Sequence, residues 1–283
     1  MFDIFKYTIP LDDWIEIAVE WLVGNFRPQF QAIKMPIEIM LNAIDDALLW
    51  LPEEIVLIAF LVIGWKAAGW KVGLFSIISM AFIGFTGLWS ETMTTLAMVI
   101  SAVVVCVLLG VPLGILSSRS NRFEAVLRPV LDAMQTTPAF VYLVPVVMLF
   151  SIGTVAGVIA TIIFSMPPII RLTNLGIRQV HPELIEATYS FGATKRQVLW
   201  KVQIPLALKT IMAGLNQTIM LSLSMVVIAS LIGAGGLGVP VFEGLNSLQV
   251  GLAGIGGLGI VLMAMVLDRI TQAMGTSRDQ ENS

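Results

Sequence analysis

Residues 183–206 read ELIEATYSFGATKRQVLWKVQIPL, from Glu183 to Leu206, a charged and amphipathic stretch set between long apolar segments. Its punctuation predicts two short helices around a glycine. Pro182, after His181, suits a first helical position, where no backbone donor is needed. Gly192 suits the left-handed turn that closes a helix. Thr194 can cap a second helix, with Gln197 three residues on completing a capping box. Pro205 has no N–H to continue a helical ladder and is expected to stop that second helix. A hairpin this organised in a polar loop is built for a partner; the plainer alternative is an interfacial helix pair that binds nothing.

Composition says what surrounds the hairpin. Of 283 residues, 57% are hydrophobic and 12% charged, with a mean hydropathy of +0.90. A soluble domain carries about 25% charged residues, so the chain reads as an all-α integral membrane protein. The start, MFDIFKYTIPLDDW, is acidic and lacks the basic region that opens a secretory signal. The first spanning helix is expected to target the chain. Cys106 and His181 are the only cysteine and histidine, so an internal disulfide is excluded and a Cys/His metal site is unsupported. His181, before a proline at a helix start, suits a surface or capping role.

Residues 1–46 interleave Trp14, Ile17, Val19, Trp21 and Leu22 with Asp12, Asp13, Glu16 and Glu20. That pattern predicts an amphipathic helix on the membrane surface, its tryptophans at headgroup depth. A crossing helix needs about 20 apolar residues. Seven segments qualify: Ala47–Trp65, Val72–Trp89, Thr92–Leu116, Val130–Phe150, Thr154–Ile170, Thr210–Ile232 and Val250–Leu267. The first is interrupted by Pro52, Glu53 and Glu54. Residues 139–170 carry no charge, but one helix there would run about 48 Å, past a hydrocarbon core of about 30 Å. Gly153 and Gly157, with Pro145 before them, allow a turn near 151–153, so two passes are expected.

Seven passes put Lys66, Lys71, Arg119, Arg122, Arg128, Arg171, Arg178, Lys195, Arg196, Lys201, Lys209, Arg269 and Arg278 on one face. Only Lys6, Arg27 and Lys34 lie elsewhere. By the positive-inside rule the shared face is cytoplasmic. The N-terminus is then outside, the C-terminus inside, and the hairpin in the cytoplasm. The expected organisation is an extracytoplasmic or interfacial segment at 1–46, two peripheral spanning helices at 47–91, a transmembrane domain at 92–272 containing the hairpin at 182–205, and a cytoplasmic tail at 273–283.

The chain has no Gly-Lys pair, hence no phosphate-cradling ATPase loop. Gly233–Gly238, GAGGLG, reads as a flexible turn or re-entrant bend. Within GLAGIGGLG (251–259), Ala253 and Gly257 allow close helix packing. The interiors of the third, fifth, sixth and seventh spans hold no charge, and Asp132 falls at the cytoplasmic end of the fourth. Proton-coupled transport therefore lacks its usual carboxylate. Thr136, Thr137, Asn216, Gln217, Ser222 and Ser224 remain as neutral polar residues that could line a path or bond across helices. Asn216 and Gln217, about 100° apart on a helix, cannot both face the same way.

Glu186, Ala187, Thr188, Gly192, Val202, Ile204 and Pro205 match in spacing the Glu-Ala-Ala loop of permease subunits of bacterial ABC importers, which this hairpin resembles. Thr188, Val202 and Ile204 depart from the common residues but keep size or polarity. Residues 131–150, 161–177 and 213–238 further resemble the glycine betaine/proline betaine branch, the osmoprotectant importers, over about Leu96 to Met274. The resemblance implies a type I ABC importer transmembrane domain with no catalysis and no cofactor of its own. It also implies a homodimer of this subunit, two cytoplasmic ABC ATPase subunits and an extracytoplasmic substrate-binding protein. The permease itself sits in the lipid of a bacterial cell membrane, and no nucleic acid is involved. The ATPase-coupling residues it implies are Glu186, Ala187, Thr188, Gly192, Ile204 and Pro205; path candidates are Thr136, Thr137, Asn216, Gln217 and Ser222. The competing reading is an ion- or proton-coupled transporter of small osmolytes acting without an ATPase, and a membrane scaffold that transports nothing is a third.

Overall fold

A computed structural model of the chain describes residues 10–276. Lys6, Arg278 and most of the expected tail at 273–283 lie outside them. Among the described residues every regular element is helical. The helices are α1 Leu11–Trp50, α2 Glu53–Ala68, α3 Trp70–Phe85, α4 Trp89–Arg119, α5 Asn121–Thr136, α6 Ala139–Phe150 and α7 Thr154–Arg178. After the hairpin come α10 Ile204–Ala229, α11 Gly238–Asn246 and α12 Val250–Thr276, while α8 Pro182–Ser190 and α9 Lys195–Val198 form the hairpin itself.

Among the described residues, four helical stretches are long and apolar enough to cross a membrane: Trp89–Arg119, Thr154–Arg178, Lys195–Ile232 and Val250–Ala273. Two of the seven expected spans are instead bent pairs. α1 and α2 meet at 106°, and α5 and α6 at 101°. The cause is the same in both. Leu51 and Thr137 each precede a proline and sit in extended conformation, at φ −70°, ψ 135° and φ −69°, ψ 127°. A residue before proline is driven out of the helical region, and the proline itself donates nothing. The expected straight spans Ala47–Trp65 and Val130–Phe150 are corrected accordingly. α6 alone, at 12 residues, reaches about 18 Å and cannot cross the bilayer. The Tyr142 hydroxyl staples the second bend by donating to Met134 O at 2.7 Å. The remaining segment, Trp70–Phe85, is a shorter apolar helix.

The turn expected between two passes lies at 151–153, where Ser151 has φ 72° and Gly153 φ 129°. Gly157 takes no part in it. It lies inside α7, where a Cβ would fall 2.6 Å from that of Ala234. α7 is sandwiched between α4 and α10 as the most buried of the spanning helices. α1 covers one flank with most of its apolar residues exposed, touching α6 where Gln31 Nε2 donates to Leu149 O at 3.1 Å and Phe30 packs edge-on against Phe150.

The bundle has two distinct ends. At one, Gly153 N–H bonds Ile232 O, and Leu237 N–H bonds Thr95 Oγ1 at 2.8 Å, joining α7, α10, the glycine loop and α4. GAGGLG is thus a packed bend with Ala234, Gly236 and Leu237 buried. At the other end the C-termini of α4 and α7 meet the hairpin, and Gly275 near the end of α12 lies against Met212 of α10. The close contact expected at Ala253 and Gly257 is made by Ala253 and Gly256, against Gly244 and Val241 of α11, while Gly257 faces open space.

Candidate functional site

The hairpin is shaped by its caps. Pro182 occupies the first turn of α8 behind His181. At the far end Ala193 N–H bonds Thr188 O and Gly192 N–H bonds Tyr189 O, the paired closure of a Schellman turn. Gly192 holds φ 80° there, in a region where a side chain is strained. Thr194 Oγ1 accepts from Gln197 N–H at 3.3 Å, and Gln197 Oε1 accepts from Thr194 N–H at 2.8 Å, so the capping box is complete.

Pro205 does not end the second helix. The chain runs helically from Lys195 to Ile232 through a π segment at Leu199–Gln203. Ile204 N–H bonds Leu199 O five residues back, and Pro205 falls in the first turn of α10. The wider turn inserts one residue and relocates the missing donor, which is how a long helix tolerates an internal proline. Val202 lies in that segment, and Ile204 and Pro205 follow it.

Glu186 and Ala187 are exposed on α8, and Thr188 turns its hydroxyl back to Leu184 O. Around them stand Leu184, Tyr189, Phe191 and Trp200, all exposed, with Phe191 92% exposed at the hairpin tip. A large apolar side chain is thus held out by a rigid cap, almost uncovered by the described residues. Glu186 also lines a cavity of about 260 Å³ with Ser118, Arg178, Pro182, Ile185 and Gln203, among others, where the hairpin leaves the bundle.

The five path candidates separate. Thr136 is exposed and Thr137 half-buried at the α5–α6 bend, their hydroxyls donating to Asp132 O and Ala133 O. Gln217 is exposed on α10, on the face that also carries Ala213 and Ser224. Asn216 faces α12 instead, donating to Asp268 Oδ1 at 2.9 Å and accepting from Thr271 Oγ1 at 2.6 Å. Ser222 is fully buried and donates to Ser165 Oγ at 3.0 Å and to Thr218 O. Asp268 escaped the sequence reading because α12 continues to Thr276, past the expected end at Leu267. The arginine cluster beneath the hairpin was also missed, although Glu124, Arg128 and Asp132 recur every four residues and Arg171 and Arg178 seven apart.

Comparison with known proteins fits this geometry. Residues 106–277 match the family model described as "Binding-protein-dependent transport system inner membrane component". The chain is 54% identical, over 98% of its length and 78% of the relative's, to the glycine betaine/proline betaine transport system permease protein ProW of Escherichia coli (strain K12). It is 45% identical to the glycine betaine transport system permease protein OpuAB of Bacillus subtilis (strain 168), covering 93% of this chain and 94% of that one. Among solved structures, an inward-facing MetNI methionine ABC transporter aligns with a TM-score of 0.59 at 22% identity, covering 69% of this chain and 97% of that one. That likeness concerns the fold alone. The chain belongs to the binding-protein-dependent transport system inner membrane component family, as an integral membrane permease of the ABC importer kind.

Proposed function

We propose that the chain is the permease of an ATP-driven importer of glycine betaine and related quaternary amines, forming the translocation path and coupling to separate ATPase subunits. The relatives' names supply the substrate class. The observation that carries the coupling role is the hairpin: capped at both ends, yet leaving Phe191, Tyr189 and Trp200 exposed among the described residues. Glu186, Ala187, Thr188 and Gly192 form the docked surface and its turn, and Ile204 and Pro205 join it to α10. Two copies of the chain, two ATPases and one extracytoplasmic binding protein make the working assembly. Betaine is captured on the binding protein, by aromatic rings around its ammonium.

The hairpin end carries Arg119, Arg122, Arg171, Arg178, Lys195, Arg196, Lys201 and Lys209, so it faces the cytoplasm. The N-terminal segment 1–46 then lies outside, beside peripheral helices in 47–91, and the core 92–272 leads into a cytoplasmic tail from 273. ATP-driven closure draws the two hairpins together, and their long helices convert this into opening on the far side. Such a device needs two packings of similar free energy that partners can bias. The path runs along the exposed face of α10 with Gln217, past Thr136 and Thr137, with Asn216 and Ser222 one layer behind.

Co-purification of the tagged permease with its ATPase, followed by radiolabelled glycine betaine uptake into proteoliposomes with competing osmolytes, tests the reading. ATP-dependent uptake supports it. Uptake driven by an ion gradient without any ATPase would sink it.

A further inference from the structure

The helix α7 has two unlike sides. Toward α4 and α10 it is packed backbone to backbone: a Cβ on Gly114 would fall 2.6 Å from Thr173 Cβ, and one on Gly214 would fall 2.9 Å from Leu172 Cβ. That close approach leaves α4, α7 and α10 tightly packed together near the hairpin. Toward α5 the contact is open and charged, around a cleft of about 430 Å³ lined in part by Glu124, Arg128, Asp132, Arg171, Asn174 and Arg178.

Two ion pairs cross this seam, Arg171–Asp132 at 2.5 Å and Arg178–Glu124 at 2.9 Å. The second is the better shielded, with side-chain exposures of 35% and 26% against 39% and 57%. It is also the more elaborate. Arg178 donates to Ser117 O and Asn121 Oδ1, each at 2.9 Å, and to Asn174 Oδ1 at 2.8 Å. Asn174 in turn donates to Glu124 Oε1 at 3.2 Å. One guanidinium therefore ties the end of α4, the first turns of α5 and the end of α7. It is the last residue of α7, three before His181, and it lines the cavity under the hairpin with Glu186.

We infer that Arg178 is a positioning residue for coupling: through Glu124 and Asn121 it makes α5, and past the bend at Thr137–Pro138 also α6, follow the hairpin. This rests on the importer reading above. Besides the Arg178 cluster, α5 is held to α7 only by the more exposed Arg171–Asp132 pair and the packing of Leu127 and Leu131, around an open cleft. A planar fork with several donors suits the task, since it fixes orientation as well as distance.

The test is the complete complex in proteoliposomes, with glycine betaine uptake and phosphate release measured together. Arg178→Gln and Glu124→Gln should each raise ATP consumed per betaine carried by about tenfold, within the span of site-to-site couplings. The exchanged pair Glu124→Arg with Arg178→Glu should recover part of the loss. Arg178→Lys should fall between, having the charge without the fork. If Arg178→Gln does not assemble with the ATPase, Glu124→Gln decides, since it leaves the bonds to Ser117, Asn121 and Asn174. An unchanged ratio in assembled variants, whether both activities persist or both fall together, overturns the inference. Failure of the importer reading is distinct: the unmodified complex would then show no ATP-dependent uptake.

Discussion

Thr95 on α4 accepts the backbone N–H of Leu237 at 2.8 Å, across 142 residues of chain. The Leu237 donor is buried, and Gly236 beside it holds φ 76° with a prospective Cβ 2.5 Å from Thr95 Oγ1. One hydroxyl thus locks the glycine bend to α4. Thr95→Val should leave that donor unpaired and cost about 1–3 kcal/mol, whereas Thr95→Ser should be nearly silent. Thermal unfolding of the solubilised permease would show the difference as a lower midpoint for the valine variant only.

At the other end, Asn216 and Asp268 bond across α10 and α12 at 2.9 Å. Polar pairs between membrane helices couple by about 0.6 kcal/mol on average, because the separated helices find other partners. A double-mutant cycle of Asn216→Ala and Asp268→Ala should return a coupling near that figure. A coupling of zero would mean that the contact holds nothing.

Gly192 occupies a left-handed position that costs other residues about 1–2 kcal/mol. Gly192→Ala should weaken uptake while leaving insertion intact. Gly192→Pro also removes the N–H that bonds Tyr189 O and should abolish uptake. Unimpaired betaine uptake by the proline variant would remove the hairpin from the mechanism.

Phe191 is almost wholly exposed among the described residues, so Phe191→Ala should not shift the unfolding midpoint of the isolated permease. Burying a phenylalanine in a partner is worth about 1.5–3 kcal/mol, a tenfold or greater change in affinity. ATPase recovered on the tagged permease should fall accordingly at limiting concentration. Equal recovery would place the tip outside the interface.

Pro205→Ala restores a donor, so the π segment at 199–203 should relax into an α-helix. Losing one inserted residue turns the chain before it by about 100°. A cysteine at exposed position 200 should then move into the place of buried Leu199 and become protected from thiol reagents, and one at buried position 198 should move into the place of exposed Gln197 and become reactive. Unaltered labelling would show that the π turn does not depend on Pro205.

The hairpin was legible because its caps are local: proline at a first turn, glycine at a left-handed position and a Thr-Gln pair three apart each act within a few residues. The split near 151–153 was legible for a similar reason, since a helix through 139–170 is too long for the bilayer. The breaks at Pro52 and Pro138 were visible as prolines, yet a proline can kink, end or be absorbed by a helix. The same residue bends the chain by 101° at Pro138, while Pro205 is carried within a continuous helix.

Which face of α10 turns outward was decided by its neighbours. Asn216 and Gln217 are equivalent as a string, and only the place of α12 beside α10 makes one a structural bond and the other an open side chain. Arg171 and Arg178 counted in the sequence as positive charge; α5 folding back along α7 brings acids from some 39 and 54 residues away and turns charge into linkage. Membrane insertion and helix capping depend on composition and on spacings of a few residues, so the linear chain carries them. Partnership between helices depends on which surfaces meet in three dimensions, and that was settled by packing alone.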